Sequence, residues 1–305
     1  MTAIETLAAF LEPLGALRRD EPLSRHTTFG VGGPADLFFT ARDTAALKAA
    51  GRAAHDTGIA LFVLGSGSNI LVADAGIRGL VLDNRAREES FETDGLTYRL
   101  GSGTSFAGFS RKMCRAGLAG LAWAVGIPGT LGGAVVYNAG AYGGCLGDVL
   151  TRVRLEEPGE GDGWVDAADL GLVYRGSVFT RGQFAGKTVL EAEVRLSAGD
   201  ATALLAEAAS YDSKRLTAQP RGRNAGSMFK NPPGSPAWKL IDDVGLRGAA
   251  RGDAAISDRH CNFFVNYGNA RASDVAWLVN EAEGRVREQF GIQLEREVAF
   301  VGAWP

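Results

Sequence analysis

The segment GLAGLAWAVGIPGTLGGAVVYNAGAYGG, from Gly117 to Gly144, lies at the centre of a long uncharged stretch. Between Arg115 and Asp148 no residue is charged, and ten of the thirty-two positions are glycine. The length alone would be enough for a membrane helix. However, proline removes a helix donor, glycine weakens helices, and a bilayer leaves no partner for bare backbone groups. We therefore expect a packed loop whose main chain comes close to a large polar, partly flat ligand.

The composition excludes several classes of protein. Hydrophobic residues make up 46% and charged residues 22% of the 305 positions, which is ordinary for a soluble globular protein. The net charge of −3 does not favour a nucleic-acid-binding protein. The three cysteines form no C-x-x-C pair, so neither a disulfide framework nor a metal site is expected. The first residues lack the basic start of a secretory signal. We expect a cytoplasmic protein with no membrane insertion.

The pattern along the chain mixes helices and short strands, so we expect an α+β fold. Predicted helices are the segment before Pro13, Thr44–Thr57, Phe106–Ala116, Ala201–Leu216 and Ala272–Phe290. Predicted strands are Ala35–Thr40, Ile59–Val63, Gly79–Leu82, Leu96–Leu100, Val149–Leu155, Val189–Leu196 and Val298–Val301. We divide the chain into regions 1–83, 84–197 and 198–305, and the last strand could pack back on the first two.

A second glycine turn, LGSGSN at Leu64–Asn69, follows the strand that ends at Val63. Consecutive amides with small side chains suit a pyrophosphate. It is not a Rossmann fingerprint, because the third glycine is missing and no helix follows. Alone it could equally be a tight turn between strands. Together with Gly126–Gly133 it favours a dinucleotide with a flat ring. The candidate cofactor-binding residues are Leu64, Gly65, Ser66, Gly67, Ser68, Asn69, Ile127, Pro128, Gly129, Thr130, Gly132, Gly133, Ala134 and Asn138.

Three further segments carry candidate chemistry. Arg175 lies between aromatic residues in YRGSVF, and an arginine fork binds a carboxylate bidentately. Its stem could equally cover apolar surface. Ser227, in NAGSMFKNP, is either a turn serine or a general acid. In LEREVAF, strand alternation places Glu295 and Glu297 on one face, and spacing does not say which of them is buried.

Taken together, these blocks resemble the UDP-N-acetylenolpyruvoylglucosamine reductase family. The motifs LGSGSNILV, GIPGTLGGAVVYNAGAYG, YRGSVF, NAGSMFKNP and LEREVAF occur in the family's order, between about His26 and Glu297. The resemblance implies a vanillyl-alcohol-oxidase-type FAD-binding region in two subdomains (1–83 and 84–197). It also implies a C-terminal α+β substrate-binding domain (198–305).

The resemblance also implies an activity. NADPH reduces non-covalently bound FAD, and the flavin then delivers hydride to the methylene carbon of UDP-N-acetylglucosamine enolpyruvate, giving UDP-N-acetylmuramate for peptidoglycan. Position by position, it implies that Arg175 and a protonated Glu297 stabilise negative charge. Ser227 then protonates the carbon next to the carboxylate. Residues at or near the positions that hold the phosphates and sugar are Arg215, Lys230 and Asn231.

The chain departs from one subclass of the family, which has an inserted loop with a substrate-facing tyrosine. Only about fifty residues separate Arg175 from Ser227, so the chain resembles the shorter subclass and no role is assigned to Tyr211. Cys261 also stands where a small residue is usual. Two alternatives remain open: another FAD oxidoreductase, such as a sugar or alcohol oxidase, and a non-catalytic nucleotide-sugar-binding protein.

Overall fold

The computed structural model describes all residues, Met1–Pro305. The chain forms two compact units, each assembled from separate stretches of sequence. Unit 1 consists of Met1–Arg19, Leu37–Gly65 and Gly79–Arg215, and unit 2 consists of Asp20–Asp36, Ser66–Arg78 and Leu216–Pro305. The division at 1–83, 84–197 and 198–305 expected from the sequence stays a prediction.

Seven α-helices form where apolar spacing and capping residues favour them. They are α1 (Ala3–Leu11), α2 (Thr44–Asp56), α3 (Phe106–Arg115), α4 (Leu131–Tyr137), α5 (Ala201–Ala218), α6 (Ala237–Asp243) and α7 (Ala272–Phe290). Short 3-10 helices cover Glu12–Leu14, Leu23–Arg25, Ala122–Ala124, Leu146–Asp148 and Ala167–Leu170. The Asp43 carboxylate accepts a hydrogen bond from the Ala46 amide and fixes the start of α2. Gly291, with φ of 68°, ends α7 in a left-handed cap.

The strands are short. They are β1 (Leu17–Pro22), β2 (Pro34–Ala41), β3 (Leu61–Leu64), β4 (Ile70–Val72), β5 (Ile77–Asn84), β6 (Glu89–Phe91), β7 (Thr97–Gly101), β8 (Leu118–Ala119), β9 (Gly140–Ala141), β10 (Gly144–Cys145), β11 (Leu150–Glu157), β12 (Gly161–Asp166), β13 (Thr188–Arg195), β14 (Ser197–Ala198), β15 (Ala250–Arg251), β16 (Ala254–Ile256), β17 (Phe264–Asn266) and β18 (Ala299–Val301).

The larger sheets have four, five and three strands. Their orders are β1-β2-β5-β3, β12-β11-β13-β7-β6 and β15-β16-β17. The five-stranded sheet is antiparallel throughout. In unit 2 the last strand, β18, pairs in parallel with β4, and Ala299 lies opposite Ile70. This pairing connects the C-terminal segment to the residues that follow the LGSGSN turn.

Each unit has its own apolar core. In unit 1 one core lies between the five-stranded sheet and helices α3 and α4, with Phe106, Trp123 and Val153 among its buried residues. A second core lies under α1 and α2. The core of unit 2 includes Phe229 and Phe264 and is covered by α6 and α7. Burial of large side chains of this kind stabilises each fold by about 1.5–3 kcal/mol per residue.

The sequence predictions were right for the longer elements. The predicted range of α7 matches the observed one, α3 ends one residue earlier than expected, and the predicted strands of the large sheet shift by one or two residues. Several elements were missed, among them β1, α6 and the glycine- and charge-rich β12. None of the helices is both long and apolar enough to cross a bilayer.

The expectation of a loop throughout the uncharged stretch was wrong, because Leu131–Tyr137 forms α4. The Thr130 hydroxyl caps this helix by accepting from the Gly133 amide. Leu131, Ala134 and Val135 are buried, and the helix contacts β7 and β13. Capping and burial thus offset the poor helix propensity of the two glycines. Asn138, with φ of 42°, ends the helix in a left-handed conformation.

Candidate active site

The candidate residues divide between the two units. Unit 1 holds Leu64, Gly65, the Ile127–Ala134 segment, Asn138, Arg175 and Arg215, and unit 2 holds Ser66, Gly67, Ser68, Asn69, Ser227, Lys230, Asn231 and Glu297.

In unit 1 the two glycine-rich segments touch. A Cβ atom on Gly65 would lie 2.5 Å from the Thr130 hydroxyl oxygen. Real Cβ contacts are never so short, so a side chain at Gly65 would push the two turns apart. The sequence suggested that both turns serve one ligand. Their direct contact through Gly65 and Thr130 supports that interpretation.

The first amides of α4 are already used by the protein. The Leu131 amide donates to the Thr104 carbonyl at 2.8 Å, and the Gly132 amide donates to the Ser102 carbonyl at 2.8 Å. The Gly133 amide points to the Thr130 hydroxyl at 3.4 Å. These three donors are therefore committed to holding the helix in place rather than to a phosphate.

The acceptors of the Leu131 and Gly132 amides belong to a third small-residue turn, Gly101–Ser105, which the sequence analysis missed. Ser102 is fully buried, and its hydroxyl accepts a 2.7 Å hydrogen bond from the Asn84 amide. The Thr104 hydroxyl is buried and has no hydrogen-bond partner in the protein. A buried hydroxyl without a hydrogen-bond partner destabilises the fold unless a ligand or water bonds to it. The signal was available in the sequence as GSGTS directly after a strand.

The LGSGSN turn enters unit 2 at Ser66. Gly67 has φ of 64°, and a Cβ on it would lie 2.1 Å from the His26 carbonyl oxygen. The Thr28 amide donates to the Gly67 carbonyl at 3.0 Å. Within unit 2 the backbone amides of Ser66 and Gly67 donate to no backbone acceptor. This turn, unlike the start of α4, therefore keeps main-chain donors for an anion.

Arg175 lies on a short loop in unit 1 with φ of 52°, a left-handed conformation that is uncommon for arginine. Its guanidinium carbon lies 5.3 Å from the centre of the Tyr174 ring, which is consistent with a cation–π contact. Tyr174 is exposed, whereas Arg175 is half-buried. The loop thus places the guanidinium beside an aromatic neighbour, and its role in binding a carboxylate stays a prediction.

Arg215 lies at the end of unit 1 against Gly126. A Cβ on Gly126 would lie 2.9 Å from the Arg215 Cδ atom, so the glycine leaves room for the arginine stem. Burial lowers the pKa of Arg215, and nearby Tyr142 and Asp212 act in the opposite direction. Tyr142 stacks on Tyr211 with ring centres 4.5 Å apart and planes at 17°. No local sequence pattern predicts this stacked pair.

In unit 2, Ser227 and Glu297 lie on neighbouring segments. The Glu297 amide donates to the Met228 carbonyl at 2.8 Å, and Phe229 pairs with Arg296. On the other side, the Met228 amide donates to the Asn262 carbonyl at 2.8 Å. The segment that carries Ser227 is therefore held between two others. About seventy residues separate the two candidates in the sequence, and no local pattern predicts that they meet.

Glu297 is also connected to the glycine turn. The Asn69 side-chain amide donates to the Glu297 carbonyl at 3.1 Å, and the Ala299 amide donates to the Asn69 carbonyl at 3.0 Å. The choice between the two glutamates gains support from exposure, because the side chain of Glu295 is 71% exposed and Glu297 is half-buried. Asn69, in the predicted cofactor-binding turn, thereby fixes the backbone of Glu297.

Lys230 and Asn231 both have partners in unit 2. The Lys230 ammonium forms an ion pair with Glu295, and the Lys230 amide donates to the Glu295 carbonyl at 2.8 Å. The Asn231 side-chain oxygen accepts from the Ala237 amide at 3.0 Å, at the start of α6. The Asn231 amide hydrogens stay available for a ligand.

No cluster of three histidine, cysteine or acidic side chains is arranged to hold a metal ion. Cys114 and Cys261 are buried free thiols, and burial raises the pKa of Cys261 to about 11. Burial also lowers the pKa of His260, whose ring packs edge-on against Phe263 at 4.9 Å. These groups have the surroundings of core residues.

Comparison with known proteins connects these features to one family. Residues 218–301 match the C-terminal domain of UDP-N-acetylenolpyruvoylglucosamine reductase, and residues 35–161 match an FAD binding domain. UDP-N-acetylenolpyruvoylglucosamine reductase 2 of Symbiobacterium thermophilum is 39% identical over 305 residues, which cover 99% of this chain and 97% of that protein. The reductase of an Anaeromyxobacter species is 44% identical over 285 residues, covering 93% and 85%.

Solved structures agree. The UDP-N-acetylenolpyruvylglucosamine reductase (MurB) of Thermus caldophilus superposes with a TM-score of 0.79 at 36% identity, covering 95% of this chain and all of that one. A structure of Phl p 4, a glucose oxidase, has a TM-score of 0.51 at 15% identity over 66% of this chain and 45% of that chain, which shows a shared fold alone. The α+β fold with an FAD-binding domain is thus confirmed, and the chain belongs to the UDP-N-acetylenolpyruvoylglucosamine reductase family of FAD-dependent oxidoreductases.

Proposed function

We propose that the protein reduces UDP-N-acetylglucosamine enolpyruvate to UDP-N-acetylmuramate, with NADPH as electron donor and non-covalent FAD as carrier. The observation that carries the proposal is the pairing of Ser227 and Glu297 on hydrogen-bonded neighbouring segments, 2.8 Å between the Glu297 amide and the Met228 carbonyl. Asn69 of the glycine turn holds the same glutamate. A hydroxyl, a carboxyl group and main-chain donors are thereby fixed within one unit.

The residues present suit FAD. Ser66 and Gly67 keep backbone amides for a pyrophosphate, and the buried Thr104 hydroxyl lacks a protein partner. Gly65 and Gly67 let this turn pack directly against the Thr130 side chain and the His26 backbone, which fixes its position, as the short Cβ distances show. When bound, the flavin would supply hydride-transfer chemistry between NADPH and the substrate, and the Leu64–Asn69 turn would hold it. Of the other candidates, the Ile127–Thr130 segment is assigned to holding the cofactor, whereas the amides of Leu131–Gly133 and the Asn138 side chain bond within the protein.

Arg175 and Glu297 are assigned to the substrate's carboxylate. Hydride addition to the methylene carbon places negative charge on the adjacent carbon and its carboxylate. A guanidinium fork matches a carboxylate with two parallel hydrogen bonds and stays charged at every working pH. A protonated Glu297 adds a further donor. Donors fixed in advance stabilise developing charge far better than water, which must reorganise.

Ser227 is assigned as the proton donor. Its hydroxyl proton goes to the carbon next to the carboxylate, which completes the CH–CH₃ unit, and solvent returns a proton to the serine oxygen. The backbone bonds that hold Met228 on both sides fix the position of Ser227, as general acid catalysis requires.

The nucleotide-sugar is assigned to Arg215, Lys230 and Asn231. Arg215 and Lys230 provide positive charge for the two phosphates, and Asn231 provides an amide donor. Lys230 pairs with Glu295 here, so phosphate binding requires this lysine to change partner. All three cysteines are free thiols, which is typical of a reducing compartment, and we assign the reaction to the cytoplasm.

The proposal is tested with Ser227→Ala in stopped-flow experiments that follow flavin absorption. Anaerobic reduction by NADPH should proceed as in the wild type. Reoxidation by the enolpyruvyl substrate should slow by roughly 10²–10⁴-fold, the usual contribution of a positioned proton donor. Ser90→Ala, on the exposed strand β6, is the matched control and should leave both steps unchanged.

Equal loss of both steps in Ser227→Ala would contradict the assigned role. NADPH consumption by the wild type should also depend on the enolpyruvyl substrate. Oxygen-dependent turnover of a sugar or alcohol without NADPH would instead support an oxidase, and purified protein that takes up no flavin would support a binding protein.

A further inference from the structure

The loop that carries Arg175 is fastened at both ends to the C-terminal end of α4. On one side the Asn138 side-chain amide donates to the Val173 carbonyl at 3.0 Å. On the other, the Ser177 hydroxyl donates to the Val136 carbonyl at 2.6 Å. All of these residues belong to unit 1. Arg175 therefore lies midway between two anchors on the helix that ends the glycine-rich segment.

The conformation between the anchors is one that the sequence would not adopt unaided. Arg175 has φ of 52°, and a left-handed conformation costs a residue with a Cβ about 1–2 kcal/mol. Val173 and Gly176 exchange backbone hydrogen bonds of 3.0 and 3.2 Å, which close a tight loop around Tyr174 and Arg175. Strain of this kind persists only where the surroundings hold it.

The Asn138 side chain uses both its nitrogen and its oxygen within the protein. Besides the donation to Val173, its oxygen accepts from the Gly147 amide at 3.0 Å. Asn138 is only 6% exposed. These bonds give Asn138 a structural use, and its predicted role as a cofactor-binding residue stays a prediction.

We infer that Asn138 and Ser177 are positioning residues that hold the Arg175 fork in its working orientation. The inference rests on the proposed function, in which Arg175 binds the substrate's carboxylate. A bidentate contact must be held within about 0.5 Å and 10–20° of its productive geometry. Misplacement by 1 Å costs on the order of 10²-fold in rate, even when the changed residue never touches the substrate.

The test uses Asn138→Asp, which keeps the oxygen that accepts from Gly147 but replaces the donor to Val173 with a carboxylate oxygen. Aspartate tolerates the left-handed backbone conformation as asparagine does. The matched control is Asn266→Asp in unit 2. Asn266 is 3% exposed, donates to the Phe29 carbonyl at 3.0 Å and accepts from the Gly268 amide at 2.9 Å.

The first readout is hydrogen–deuterium exchange of residues 172–178 in FAD-free protein. Asn138→Asp should speed exchange there by about tenfold or more, because a lost anchor of about 1.4 kcal/mol changes the opening equilibrium tenfold. Asn266→Asp should leave this segment unchanged. Ser177→Ala, which removes the other anchor, should repeat the result, so the test stands even if one variant fails to fold.

The second readout separates positioning from general damage. In Asn138→Asp, flavin reduction by NADPH should stay within twofold of wild type, and reoxidation by the enolpyruvyl substrate should slow by about 10²-fold. In an Arg175→Ala background, the same change should slow reoxidation no further, because residues acting through one group are not additive. Unchanged exchange at 172–178, or fully additive rate losses, would overturn the inference. An Arg175→Ala variant with normal reoxidation would instead overturn the proposed role of Arg175, while the exchange result still decides the anchors.

Discussion

Gly67→Ala provides a stringent test of the turn that leads to Asn69 and Glu297. Gly67 has φ of 64°, and its added Cβ would lie 2.1 Å from the His26 carbonyl oxygen and 2.8 Å from the Thr27 Cα. Both neighbours are backbone atoms, so a side-chain rotation cannot relieve the clash. The left-handed conformation costs about 1–2 kcal/mol, and overpacking adds about 1–3 kcal/mol. We expect a loss of about 2–5 kcal/mol in the free energy of unfolding.

Gly291→Ala is the matched control in the same unit. Gly291 has φ of 68° and nothing within 4 Å of its added Cβ, so only the conformational cost applies. The assay is urea unfolding of both FAD-free variants and the wild type, since bound ligand would add its own stabilisation. Gly67→Ala should be less stable than Gly291→Ala by at least about 1 kcal/mol. Equal losses would refute the claim that the turn is packed against the His26–Thr27 backbone.

Two other predictions concern stability and thiol reactivity. Burial raises the pKa of Glu193, but hydrogen bonds from Arg152, Arg99 and Thr151 outweigh it and bring the value from 4.5 to about 2. Because the folded-state pKa is lowered, this stabilisation is complete above about pH 4.5 and is lost as the pH falls toward 2. In urea unfolding, Glu193→Gln should therefore lower the free energy of unfolding by about 3 kcal/mol at pH 7 and by far less at pH 2. A pH-independent difference would contradict the pairing. For the thiols, iodoacetamide should label the half-buried Cys145 in native protein. The buried Cys261, with a pKa of about 11, should be labelled only after unfolding, which mass spectrometry of the peptides would show. Labelling of Cys261 in native protein would contradict its burial.

The sequence was most informative where a local pattern determines the secondary structure. Apolar spacing and the Asp43 cap predicted α2. A tight turn between strands was one of two interpretations of GSGSN, and strand β4 does follow it. The glycine-rich stretch misled at Leu131–Tyr137, because a capping threonine and the buried Ala134 and Val135 outweigh two glycines. Such a balance depends on tertiary burial, which a local pattern does not contain.

The site itself depends on long-range contacts that the sequence cannot show. Glu297 meets Met228 through backbone bonds, and Asn69 reaches the Glu297 carbonyl. Of the two glutamates of LEREVAF, Glu295 pairs with Lys230 and is 71% exposed, whereas Glu297 is half-buried. Asn138 illustrates the same limit: its residue type fits a ligand donor, and only its bonds to Val173 and Gly147 show another use.

The most direct test of the central claim is anaerobic reoxidation of the reduced flavoprotein by UDP-N-acetylglucosamine enolpyruvate, followed by flavin absorption and product mass. We predict that one equivalent of substrate restores the oxidised flavin spectrum and yields one equivalent of UDP-N-acetylmuramate, and that Arg175→Ala slows this step by roughly 10²–10³-fold. A flavin that stays reduced in the presence of the substrate would contradict the account.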